Sequence, residues 1–451
     1  MDGGGRTLLV PHWPIVDSSM REIGVGLLGL GNVGAGVVRL LEENAKAIEA
    51  RLGAKLVIRG AAVRDLKKAR RVALDPELLC DDPMELAARD GIDIVCELIG
   101  GEEFARTLVL KAIAANKQVV TANKALLAVH GEELYAAAEA KGVDLYYEAA
   151  VCGGIPVIRT LREGLASDRV ESITGIVNGT SNFITCAMAK GGQSFENVLA
   201  KAQAEGYAEA DPTLDIGGGD AAHKLAILAM LCFGTRVALD DIHVEGIESL
   251  AEIDYAMAKE HGFVIKSLAI GVRRESGIEL RVHPAMVPQS WLLADVPDTK
   301  NAVYVRSYAL GASMYYGAGA GMMPTAMSVV SDLIEVGRNL GAEATGSRPL
   351  RIQRDRPATT VIPMAKLRSH YYLRFTVADL PGTLGKLTTI LGQRNVSIAT
   401  LSQKAMPATA DQVAVVALTH EALEADVQGA LRAIAAAGLL LAPTQLIRIA
   451  S

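Results

Sequence analysis

The sequence predicts an α/β protein whose first part is a doubly wound parallel sheet. Apolar strand-like segments occur at residues 23–28, 55–63, 93–99, 118–121 and 144–147, and helical segments separate them. Alternation of this kind builds a parallel sheet with helices on both faces. A glycine-rich turn follows the first of these strands. The chain has 451 residues, enough for two to four domains.

The helices of this first domain are expected to end near residue 50 and to span residues 103–115 and 125–140. After residue 150, longer polar-alternating strands such as 172–177 and 268–272 predict an α+β domain with helices on one face of its sheet. This second domain should cover residues 151–316. A proline-initiated helix at about 324–340 is expected to return to the first domain.

The domain boundaries follow from these patterns. We expect a loose extension at residues 1–20, a first domain at 21–150 completed by about 317–342, and a linker at 343–368 rich in Arg, Pro and Thr. Residues 369–451 have a βαββαβ order, which predicts an autonomous domain of about 80 residues. Its predicted strands are 371–377, 398–403, 412–419 and 444–449, and its predicted helices are 384–394 and 421–436.

Composition excludes several classes of function. The net charge of -6 offers no basic excess for nucleic acid. The longest apolar run, residues 225–233, is too short to cross a membrane. Five scattered cysteines contain no CxxC pair, which favours a reducing cytoplasm and argues against a zinc site. We therefore expect a cytoplasmic protein with a small-molecule substrate and no nucleic-acid or membrane partner.

A GxGxxG motif lies between the first predicted strand and helix. Glycines at these positions let the backbone approach a pyrophosphate, and the helix N-terminus supplies N–H donors. The motif therefore predicts a Rossmann-like dinucleotide site, although a glycine turn without a ligand remains the alternative. The candidate cofactor contacts here are Gly29, Gly31, Asn32, Val33 and Gly34.

The end of the second strand carries the signal for the choice of cofactor. Dinucleotide domains that prefer NAD usually have an acid there to bind the ribose hydroxyls. This chain has Arg64 followed by Asp65, with Lys67 and Lys68 close behind. Arg64 could bind a 2′-phosphate, so NADP is favoured, but Asp65 could serve NAD instead.

The richest group of charged residues lies around residues 205–224. If a helix begins near Gly219, Asp220 and Lys224 are four residues apart on one face, and a flexible glycine loop would deliver Asp215. Burial would lower the pKa of the lysine and the carboxylates would raise it, which suits proton transfer. The alternative is an ordinary helix N-terminus with a surface ion pair. His223 is expected to point away from this face.

Residues 206–212 and 220–224 resemble the signature of homoserine dehydrogenases. Six further stretches agree with this family in order, so that the resemblance extends over residues 23–341: they are 29–34, 97–101, 121–124, 148–156, 178–182, and 317–321 with 324–326. The resemblance implies NAD(P)-dependent interconversion of L-homoserine and L-aspartate 4-semialdehyde, a step of threonine and methionine biosynthesis.

The resemblance also implies roles for individual residues. Lys224 would act with Asp220 to donate a proton to the aldehyde oxygen, and Lys124 would be the second active-site lysine. The implied substrate contacts are Glu209, Asp215, Asn178, Gly179 and Thr180. Which acid contacts which substrate atom stays open. The implied additional cofactor contacts are Gly100, Thr121, Lys124 and Gly319.

Members of the family hold a monovalent cation, such as sodium, with main-chain carbonyls. By resemblance the ligands would be Glu148, Val151, Gly153 and Ile155. Oxygen ligation suits a hard cation. Cys152 stands where many relatives have glycine, which puts the backbone angles of this loop in doubt.

The C-terminal segment resembles an ACT domain, which implies feedback inhibition by threonine. Such domains pair edge to edge and hold an amino acid between them, and the candidate effector contacts are Asp379, Gly382, Asn395 and Ile398. A dimerisation module without a ligand is the alternative. We expect a homodimer or a homotetramer.

The sequence has three alternative interpretations. Another semialdehyde or amino-acid dehydrogenase would keep the glycine motif but would have no reason to carry Glu209, Asp215, Asp220 and Lys224 together. A non-catalytic sensor would bind NADP and an amino acid without turnover. A cysteine-dependent aldehyde dehydrogenase is disfavoured, because no cysteine lies in a recognisable activating setting.

Overall fold

The structure, a computed structural model, describes residues 20–346, 359–405 and 411–450. The predicted N-terminal extension, except Met20, lies outside the described residues, and so do residues 347–358 of the predicted linker. All five cysteines are described, and all five are free thiols.

The first domain contains the predicted parallel sheet. Its six strands are arranged in the order β3-β2-β1-β4-β5-β6, and every pairing is parallel. The strands are β1 Glu22–Leu28, β2 Lys55–Ala62, β3 Leu79–Cys80, β4 Ile94–Glu97, β5 Gln118–Thr121 and β6 Leu145–Tyr146. This is the order of a doubly wound dinucleotide-binding sheet, so the predicted fold class is confirmed. Strand β3 was not predicted, because two residues are too few to show a period.

Five helices connect these strands. They are α1 Asn32–Glu43, α2 Ala45–Leu52, α3 Pro83–Leu86, α4 Glu103–Ala114 and α5 Lys124–Lys141. The helix predicted to run to about residue 50 is in fact two helices, because Asn44 leaves helical geometry with a ψ angle of 15°. Helix α3 was not predicted, because it is a single turn.

The second domain contains the strands β7 Val170–Ile176, β8 His243–Val244, β9 Phe263–Arg274, β10 Gly277–Pro288, β11 Lys300–Ser307 and β12 Gly311–Ala318. Its helices are α6 Val157–Arg159, α7 Gly179–Ala189, α8 Phe195–Ala204, α9 Thr213–Ile216, α10 Gly219–Phe233 and α11 Glu252–Glu260. Alternate residues of β9 and β10 face the helices, for example Ile265 and Met286. Leu268 and Val287 face the other side, where they pack with Leu293 and Val296.

Helix α10 lies in the centre of the molecule. Nearly all of its residues are buried, including most of the apolar run 225–233. Helix α12, Met322–Gly341, packs against α1 of the first domain. The contact requires Gly36, because a Cβ there would lie 2.8 Å from Ala326 Cβ. Among the described residues, no helix is both long and apolar enough to cross a membrane.

The C-terminal domain has the predicted βαββαβ order. Its elements are β13 Arg368–Ala378, α13 Thr383–Gln393, β14 Ile398–Ala405, β15 Gln412–Thr419, β16 Ala422–Leu423, α14 Glu424–Ala436 and β17 Gln445–Ile449. Leu373, Phe375, Leu387 and Ile434 belong to a core of its own.

The sheet of this domain continues the sheet of the second domain. Strand β17 pairs in parallel with β10, with Arg448 beside Ala285 and Ile449 beside Met286. A path of nine hydrogen-bonded strands therefore runs β12-β11-β7-β9-β10-β17-β13-β15-β14. An apolar strand edge on β10 would otherwise lack hydrogen-bond partners, and β17 supplies them.

The described end of the predicted linker is also fixed to this sheet. Ile278 N donates to Thr360 O at 3.0 Å, and Ile362 N donates to Ile278 O at 2.8 Å. Val361 consequently forms a parallel bridge with Ile278. The C-terminal domain is thus held through both its last strand and the segment that precedes its first strand.

Candidate active site

A carboxylate bridges two lysine ammonium groups at the junction of the first two domains. Asp220 Oδ2 lies 2.7 Å from Lys224 Nζ, and Asp220 Oδ1 lies 2.8 Å from Lys124 Nζ. Asp220 and Lys224 share one face of α10, as their spacing predicted. Lys124 is the first residue of α5, directly after β5. The site therefore lies at the carboxyl ends of the parallel strands, where ligands bind in doubly wound sheets.

Lys224 is buried, with 8 % of its surface exposed. Its ammonium group donates to Val177 O at 2.6 Å and to Asp220 Oδ2 at 2.7 Å. Among the described residues, its third N–H has no acceptor, so it is available to a ligand. Burial lowers the pKa of Lys224, but the charge and hydrogen bond of Asp220, together with the nearby Cys152 and Asp215, raise it by more, and the net shift is upward. Lys224 is therefore held as an ammonium group.

Asp220 is the most completely enclosed member of the cluster. Burial raises its pKa, but the charges of Lys224 and Lys124 lower it by more, so that the pKa of Asp220 lies well below its usual range. Asn178 Nδ2 donates a further hydrogen bond to Asp220 Oδ2 at 2.7 Å. Asp220 is thus a permanent carboxylate that holds both lysines, and not a proton donor itself.

Asn178, Thr180 and Asp215 form the wall next to this cluster. Asn178 Nδ2 donates to Asp215 Oδ1 at 2.7 Å, and Thr180 Oγ1 donates to Asp215 Oδ2 at 3.1 Å. Asn178 also caps α7, because its Oδ1 accepts a hydrogen bond from Ser181 N at 2.8 Å. Asn178 therefore connects the two acids, Asp215 and Asp220, through one amide.

The expectation that a flexible glycine loop delivers Asp215 is wrong. Asp215 lies in the short helix α9, which begins after Pro212. Asp211 Oδ1 accepts hydrogen bonds from Thr213 N and Thr213 Oγ1, which fix the start of this turn. The glycines come after Asp215, and Gly218, with a φ of +88°, turns the chain into α10.

Two predicted substrate contacts lie outside this hydrogen-bonded group. Glu209 is exposed, and among the described residues its carboxylate contacts no member of the cluster. Gly179 is the first residue of α7, where a Cβ would lie 2.9 Å from Thr299 O. His223 is half-buried, and its Nδ1 has no partner in the described chain. Burial lowers the pKa of His223.

The glycine turn between β1 and α1 has the shape that a dinucleotide needs. Gly29 has a φ of +105°, and a Cβ on Gly34 would lie 2.3 Å from Gly29 O. A Cβ on Gly31 would meet no described atom within 4 Å, which leaves space for a ligand. Gly31 is also the N-cap of α1 and has no side chain to cap it. The first N–H groups of α1 are therefore available to a phosphate.

Arg64 and Asp65 both lie exposed beyond the end of β2. Asp65 Oδ1 accepts a hydrogen bond from Lys67 N at 2.9 Å, which folds this segment into a turn. Asn32 and Val33, the first residues of α1, are at most half-buried. All four residues border the same carboxyl end of the sheet.

Glu97 is a residue of this region that the sequence reasoning did not single out. It is fully buried at the end of β4, and it accepts hydrogen bonds from Thr121 Oγ1 at 2.6 Å and Gly100 N at 3.2 Å. Burial raises the pKa of Glu97. Thr121 is buried too, so its hydroxyl holds Glu97 and does not face the cleft. The sequence signal that could have identified Glu97 is its position as a charged residue at the end of an apolar strand.

The first two domains also meet at a pair of glycines. A Cβ on Gly153 would lie 2.7 Å from Gly319 O, and a Cβ on Gly319 would lie 2.1 Å from the Asn301 side chain. Only glycine allows the two backbones to approach so closely. The segment that contains Gly319 therefore lies directly over the loop that leaves the first domain.

Comparisons with known proteins agree with this geometry. The homoserine dehydrogenase family model matches residues 156–334, and the model of the homoserine dehydrogenase NAD binding domain matches residues 29–148. The homoserine dehydrogenase of Neisseria gonorrhoeae is 44 % identical over 440 residues, which cover 96 % of this chain and 99 % of that protein. The chain belongs to the homoserine dehydrogenase family.

Further relatives extend this result over the whole fold. The homoserine dehydrogenase of Pseudomonas aeruginosa is 43 % identical over 95 % of this chain and 99 % of that protein. A crystal structure of a homoserine dehydrogenase from Thiobacillus denitrificans has a TM-score of 0.90 and 46 % identity, covering 96 % of this chain and 99 % of that chain. The Staphylococcus aureus enzyme has a TM-score of 0.74 and 30 % identity, covering 96 % of this chain and all of that chain.

The match assigns the class of reaction. The chain is an oxidoreductase of the homoserine dehydrogenase type, with an NAD(P)-binding domain and a separate catalytic region. An ACT domain model matches residues 371–436, which confirms the predicted nature of the C-terminal domain. The fold class predicted from the sequence is thereby confirmed in all three parts.

The loop from Glu148 to Ile155, where family members would hold a cation, is tightly built. Ser328 Oγ donates to Gly153 O at 2.6 Å, and Val157 N donates to Ile155 O at 2.7 Å. The two Glu148 carboxylate oxygens accept hydrogen bonds from the N–H groups of Ile158 and Arg159, each at 2.8 Å. Burial and the neighbouring Asp332 raise the pKa of Glu148.

Cys152 adopts a left-handed backbone conformation, with a φ of +54°. This region costs about 1–2 kcal/mol for a residue other than glycine. The doubt about the backbone angles at Cys152 was therefore justified, because this position favours glycine. Burial raises the pKa of the Cys152 thiol, so it is not an activated nucleophile.

The four predicted effector residues lie in two separate places within one chain. Asp379 and Gly382 stand at the start of α13, whereas Asn395 and Ile398 follow its end. The helix has 11 residues, so the two pairs are about 16 Å apart along its axis. Asp379 Oδ1 accepts a hydrogen bond from Gln403 Nε2 at 3.2 Å. A single copy of the ACT domain therefore does not form one pocket from these residues.

Proposed function

We propose that the Lys224–Asp220–Lys124 cluster is the catalytic centre for interconversion of L-homoserine and L-aspartate 4-semialdehyde. The observation that carries this proposal is one buried carboxylate holding two ammonium groups at the carboxyl end of the dinucleotide-binding sheet. A bound nicotinamide accepts the hydride from the alcohol carbon or supplies it to the aldehyde carbon. The proposed place in metabolism is threonine and methionine biosynthesis.

Lys224 is the proposed proton carrier. In the reduction, its ammonium group donates a proton to the oxygen of the aldehyde as that oxygen becomes an alkoxide. In the oxidation, its neutral amine takes the proton of the alcohol. The raised pKa of Lys224 keeps the ammonium form dominant, which suits the reduction at neutral pH. Asp220 orients the ammonium group and stays ionised throughout.

Lys124 is the proposed second source of positive charge. Its side chain is 36 % exposed, so it reaches into the cleft while its ammonium remains on Asp220 Oδ1. Fixed positive charge beside a developing alkoxide stabilises the transition state more than the ground state. Lys124 also suits the carboxylate of the substrate.

Asp215 and Glu209 are the proposed partners of the substrate ammonium and hydroxyl groups. Asp215 is half-buried beside Asn178 and Thr180, which favours a contact with the substrate in the resting geometry. Glu209 is exposed, so a contact with the substrate would require the segment around residues 205–211 to close. Gly179 would contribute its backbone beside Asn178.

NADP is the proposed preferred cofactor. The pyrophosphate would lie on Gly29, Gly31 and Gly34, with the N-terminus of α1 at Asn32 and Val33. Asp65 is engaged with Lys67 N, which favours Arg64 as the group that meets the ribose and its 2′-phosphate. The other proposed contacts are Gly100 and Gly319, with Lys124 near the nicotinamide end. Thr121 would act indirectly, through Glu97.

We propose that the loop at residues 148–155 holds a monovalent cation such as sodium. The ligands would be the main-chain oxygens of Glu148, Val151, Gly153 and Ile155. The Gly153 and Ile155 carbonyls each accept one hydrogen bond, and a carbonyl has a second lone pair for a cation. Among the described residues, no group of three His, Cys, Asp or Glu side chains could hold a metal, so carbonyl ligation is the arrangement that fits.

We propose that threonine binds between the ACT domains of two chains and inhibits the enzyme. Within the described residues, β14 is the last strand at its edge of the sheet, so a second copy can pair there. Pairing would bring Asn395 and Ile398 of one copy toward Asp379 and Gly382 of the other. Leu292, Tyr308 and Leu310, which are exposed by 62, 71 and 57 %, favour a further homo-oligomer contact on the second domain.

The decisive experiment follows reduction of NADP⁺ or NAD⁺ by L-homoserine in a spectrophotometer, with and without threonine. We expect turnover with both cofactors, a lower KM for NADP⁺, and inhibition that saturates with threonine. If neither cofactor is reduced, the catalytic proposal is wrong. A flat threonine titration would remove only the regulatory proposal, and light scattering of the same sample would test the dimer or tetramer.

A further inference from the structure

The last strand of the ACT domain carries a buried arginine that reaches into the catalytic domain. Arg448 Nη1 and Nη2 contact Glu245 Oε2 and Oε1 at 2.8 and 2.9 Å. Arg448 Nε and Nη2 contact Glu424 of the ACT domain itself at 3.0 and 2.7 Å. Only 3 % of the Arg448 side chain is exposed. We call Arg448, Glu245 and Glu424 the arginine clamp.

Glu245 belongs to a segment that packs on the active-site helix α9. Two residues further on, Ile247 N donates to Ile216 O at 2.9 Å, and Ile216 directly follows Asp215. On the other side, Glu245 N donates to Val282 O at 2.8 Å, which ties the segment to β10. The backbone that carries Asp215 is thus hydrogen-bonded to the backbone that carries Glu245.

The turn after Asp215 leaves little room for movement of this segment. Gly218 has a φ of +88°, and a Cβ there would lie 3.0 Å from Val244 and 3.4 Å from Glu245 O. A displacement of Glu245 would therefore change the packing of its backbone against Gly218. Gly218 connects α9, with Asp215, to α10, with Asp220 and Lys224.

We propose that Arg448 and Glu245 are positioning residues for the reaction. The ion pair holds residues 243–247 against α9 and so fixes the place of Asp215 beside Asn178. The inference rests on the proposed role of Asp215 in binding the substrate. It makes the ACT domain part of the catalytic unit even when no effector is bound, and it gives the effector domain a direct physical connection to the substrate site.

The two carboxylates of the clamp provide matched variants. Glu245→Ala removes the ion pair between Arg448 and the catalytic segment, together with the contact of Glu245 Oε1 with His243 Nε2 at 2.7 Å in the same segment. Arg448 keeps its contacts with Glu424, so its charge is not left unpaired. Glu424→Gln removes the other carboxylate but touches only the ACT domain, where its partners are Arg448, Tyr371 and Gln428. Both variants remove one carboxylate partner of Arg448, but only Glu245→Ala breaks its connection to the segment that packs on α9.

The test is steady-state kinetics of the full-length enzyme without an effector. We expect Glu245→Ala to raise the KM for L-homoserine roughly tenfold or more, because a displacement of about 1 Å in a positioning group has large kinetic effects. The KM for NADP⁺ should not change, since the clamp does not approach the glycine turn. Glu245→Gln, which keeps an acceptor for Arg448, should restore part of the affinity. Glu424→Gln should leave both KM values within about twofold of the original enzyme.

Three outcomes would overturn the inference. Equal effects of Glu245→Ala and Glu424→Gln on the homoserine KM would mean that the clamp only stabilises the fold. No effect of Glu245→Ala would mean that α9 is held without it. The third outcome concerns the variant Asp215→Asn. If this variant leaves homoserine kinetics unchanged, the proposed role of Asp215 is wrong, and the inference is wrong with it. If Asp215→Asn impairs homoserine binding and Glu245→Ala does not, only the inference fails.

Discussion

The active site and the arginine clamp are two buried charge clusters built with opposite signs. In the first, Asp220 lies between the ammonium groups of Lys224 and Lys124. In the second, Arg448 lies between the carboxylates of Glu245 and Glu424. In each cluster the central group is almost completely buried and contacts both partners within 3 Å. The same electrostatic arrangement thus occurs once beside the cofactor cleft and once between domains.

Burial alone would make both central charges unfavourable, and their neighbours reverse this effect. Burial raises the pKa of Asp220, but the two lysines bring it below its usual range. Burial lowers the pKa of Arg448, but its two carboxylates raise it. The difference between the clusters is access. The Lys124 side chain is 36 % exposed, whereas Arg448 lies on β17, between β10 and β13, and only 3 % of its side chain is exposed. The access of Lys124 to the cleft therefore fits the proposed catalytic role of the first cluster.

The largest expected effect is that of Lys224→Ala. Removing the proposed proton carrier should lower kcat by roughly 10²–10⁴-fold, the usual contribution of general acid–base catalysis. Lys224→Arg is the matched control, because an arginine keeps the charge but does not give up a proton. Both variants should still bind NADP⁺, as measured by quenching of protein fluorescence. A kcat within tenfold of the original value for Lys224→Ala would mean that the cluster only stabilises the fold.

Arg448→Met should produce the largest loss of stability. The substitution leaves the buried carboxylate of Glu424 and the 34 % exposed carboxylate of Glu245 without their cation. Breaking a buried pair in this way costs about 3–5 kcal/mol. Urea unfolding should show this as a lower midpoint. The double variant Arg448→Met with Glu424→Gln should be less destabilised than the sum of the two single variants, because it strands only one carboxylate. If the losses of stability of the two single variants simply add in the double variant, Arg448 and Glu424 do not stabilise each other.

Asp220→Asn should change the pH dependence of homoserine oxidation. The charge of Asp220 raises the pKa of Lys224 above its ordinary value of 10.5, and without that charge the burial of Lys224 lowers it. Oxidation requires the neutral amine, so the alkaline rise in kcat should move to lower pH. Asp211→Asn, an exposed acid on the same segment, is the control. If the alkaline rise in kcat of Asp220→Asn stays at the pH of the original enzyme, Lys224 is not the titrating group.

The directions of the pKa shifts of Asp220 and Lys224 also predict how the contribution of this ion pair to stability depends on pH. The pKa of Asp220 is lowered, so its contribution is present above the ordinary value of 3.8 and is lost as the pH falls. The pKa of Lys224 is raised, so its contribution is present below 10.5 and is lost as the pH rises through its folded value. The ion pair should therefore support the fold over the whole neutral range.

The smallest expected effect is that of Lys404→Met. Lys404 Nζ contacts Glu260 at 2.9 Å, so this pair also joins the ACT domain to the catalytic domain, but its side chains are 38 and 50 % exposed. Exposed pairs contribute about 0–1 kcal/mol, so the urea midpoint should hardly move. Comparison with Arg448→Met then isolates burial as the variable. A loss as large as that of Arg448→Met would contradict this explanation.

The fold was largely predictable from the sequence, because the patterns that indicate its strands and helices lie within short stretches of chain. Strand β5 was predicted at its observed bounds, and the βαββαβ order of the ACT domain was predicted correctly. The errors concern contacts between distant segments and very short elements. The single-turn helix α9 around Asp215 depends on hydrogen bonds that Thr213 donates to Asp211, and it was predicted as a glycine loop.

The candidate site was predictable in part for the same reason. Asp220 and Lys224 are four residues apart, so helix geometry places them together. Lys124 and Asn178 were included because of family resemblance, and spacing could not have brought them to Asp220. The role of Glu97 was not predicted, because its partner Thr121 is the last residue of β5, 24 residues away in the chain, and only the tertiary structure places it beside Glu97.

By itself, the sequence determined the order of strands and helices, the glycine turn and the Asp220–Lys224 pair. Each of these depends on periodicity or spacing within a few residues. The tertiary structure alone decided that one carboxylate holds two lysines from different domains, and that Arg448 meets Glu245 across 203 residues of chain. The physical reason is that charge interactions in the interior depend on burial and on distance in space, and neither is a property of local sequence.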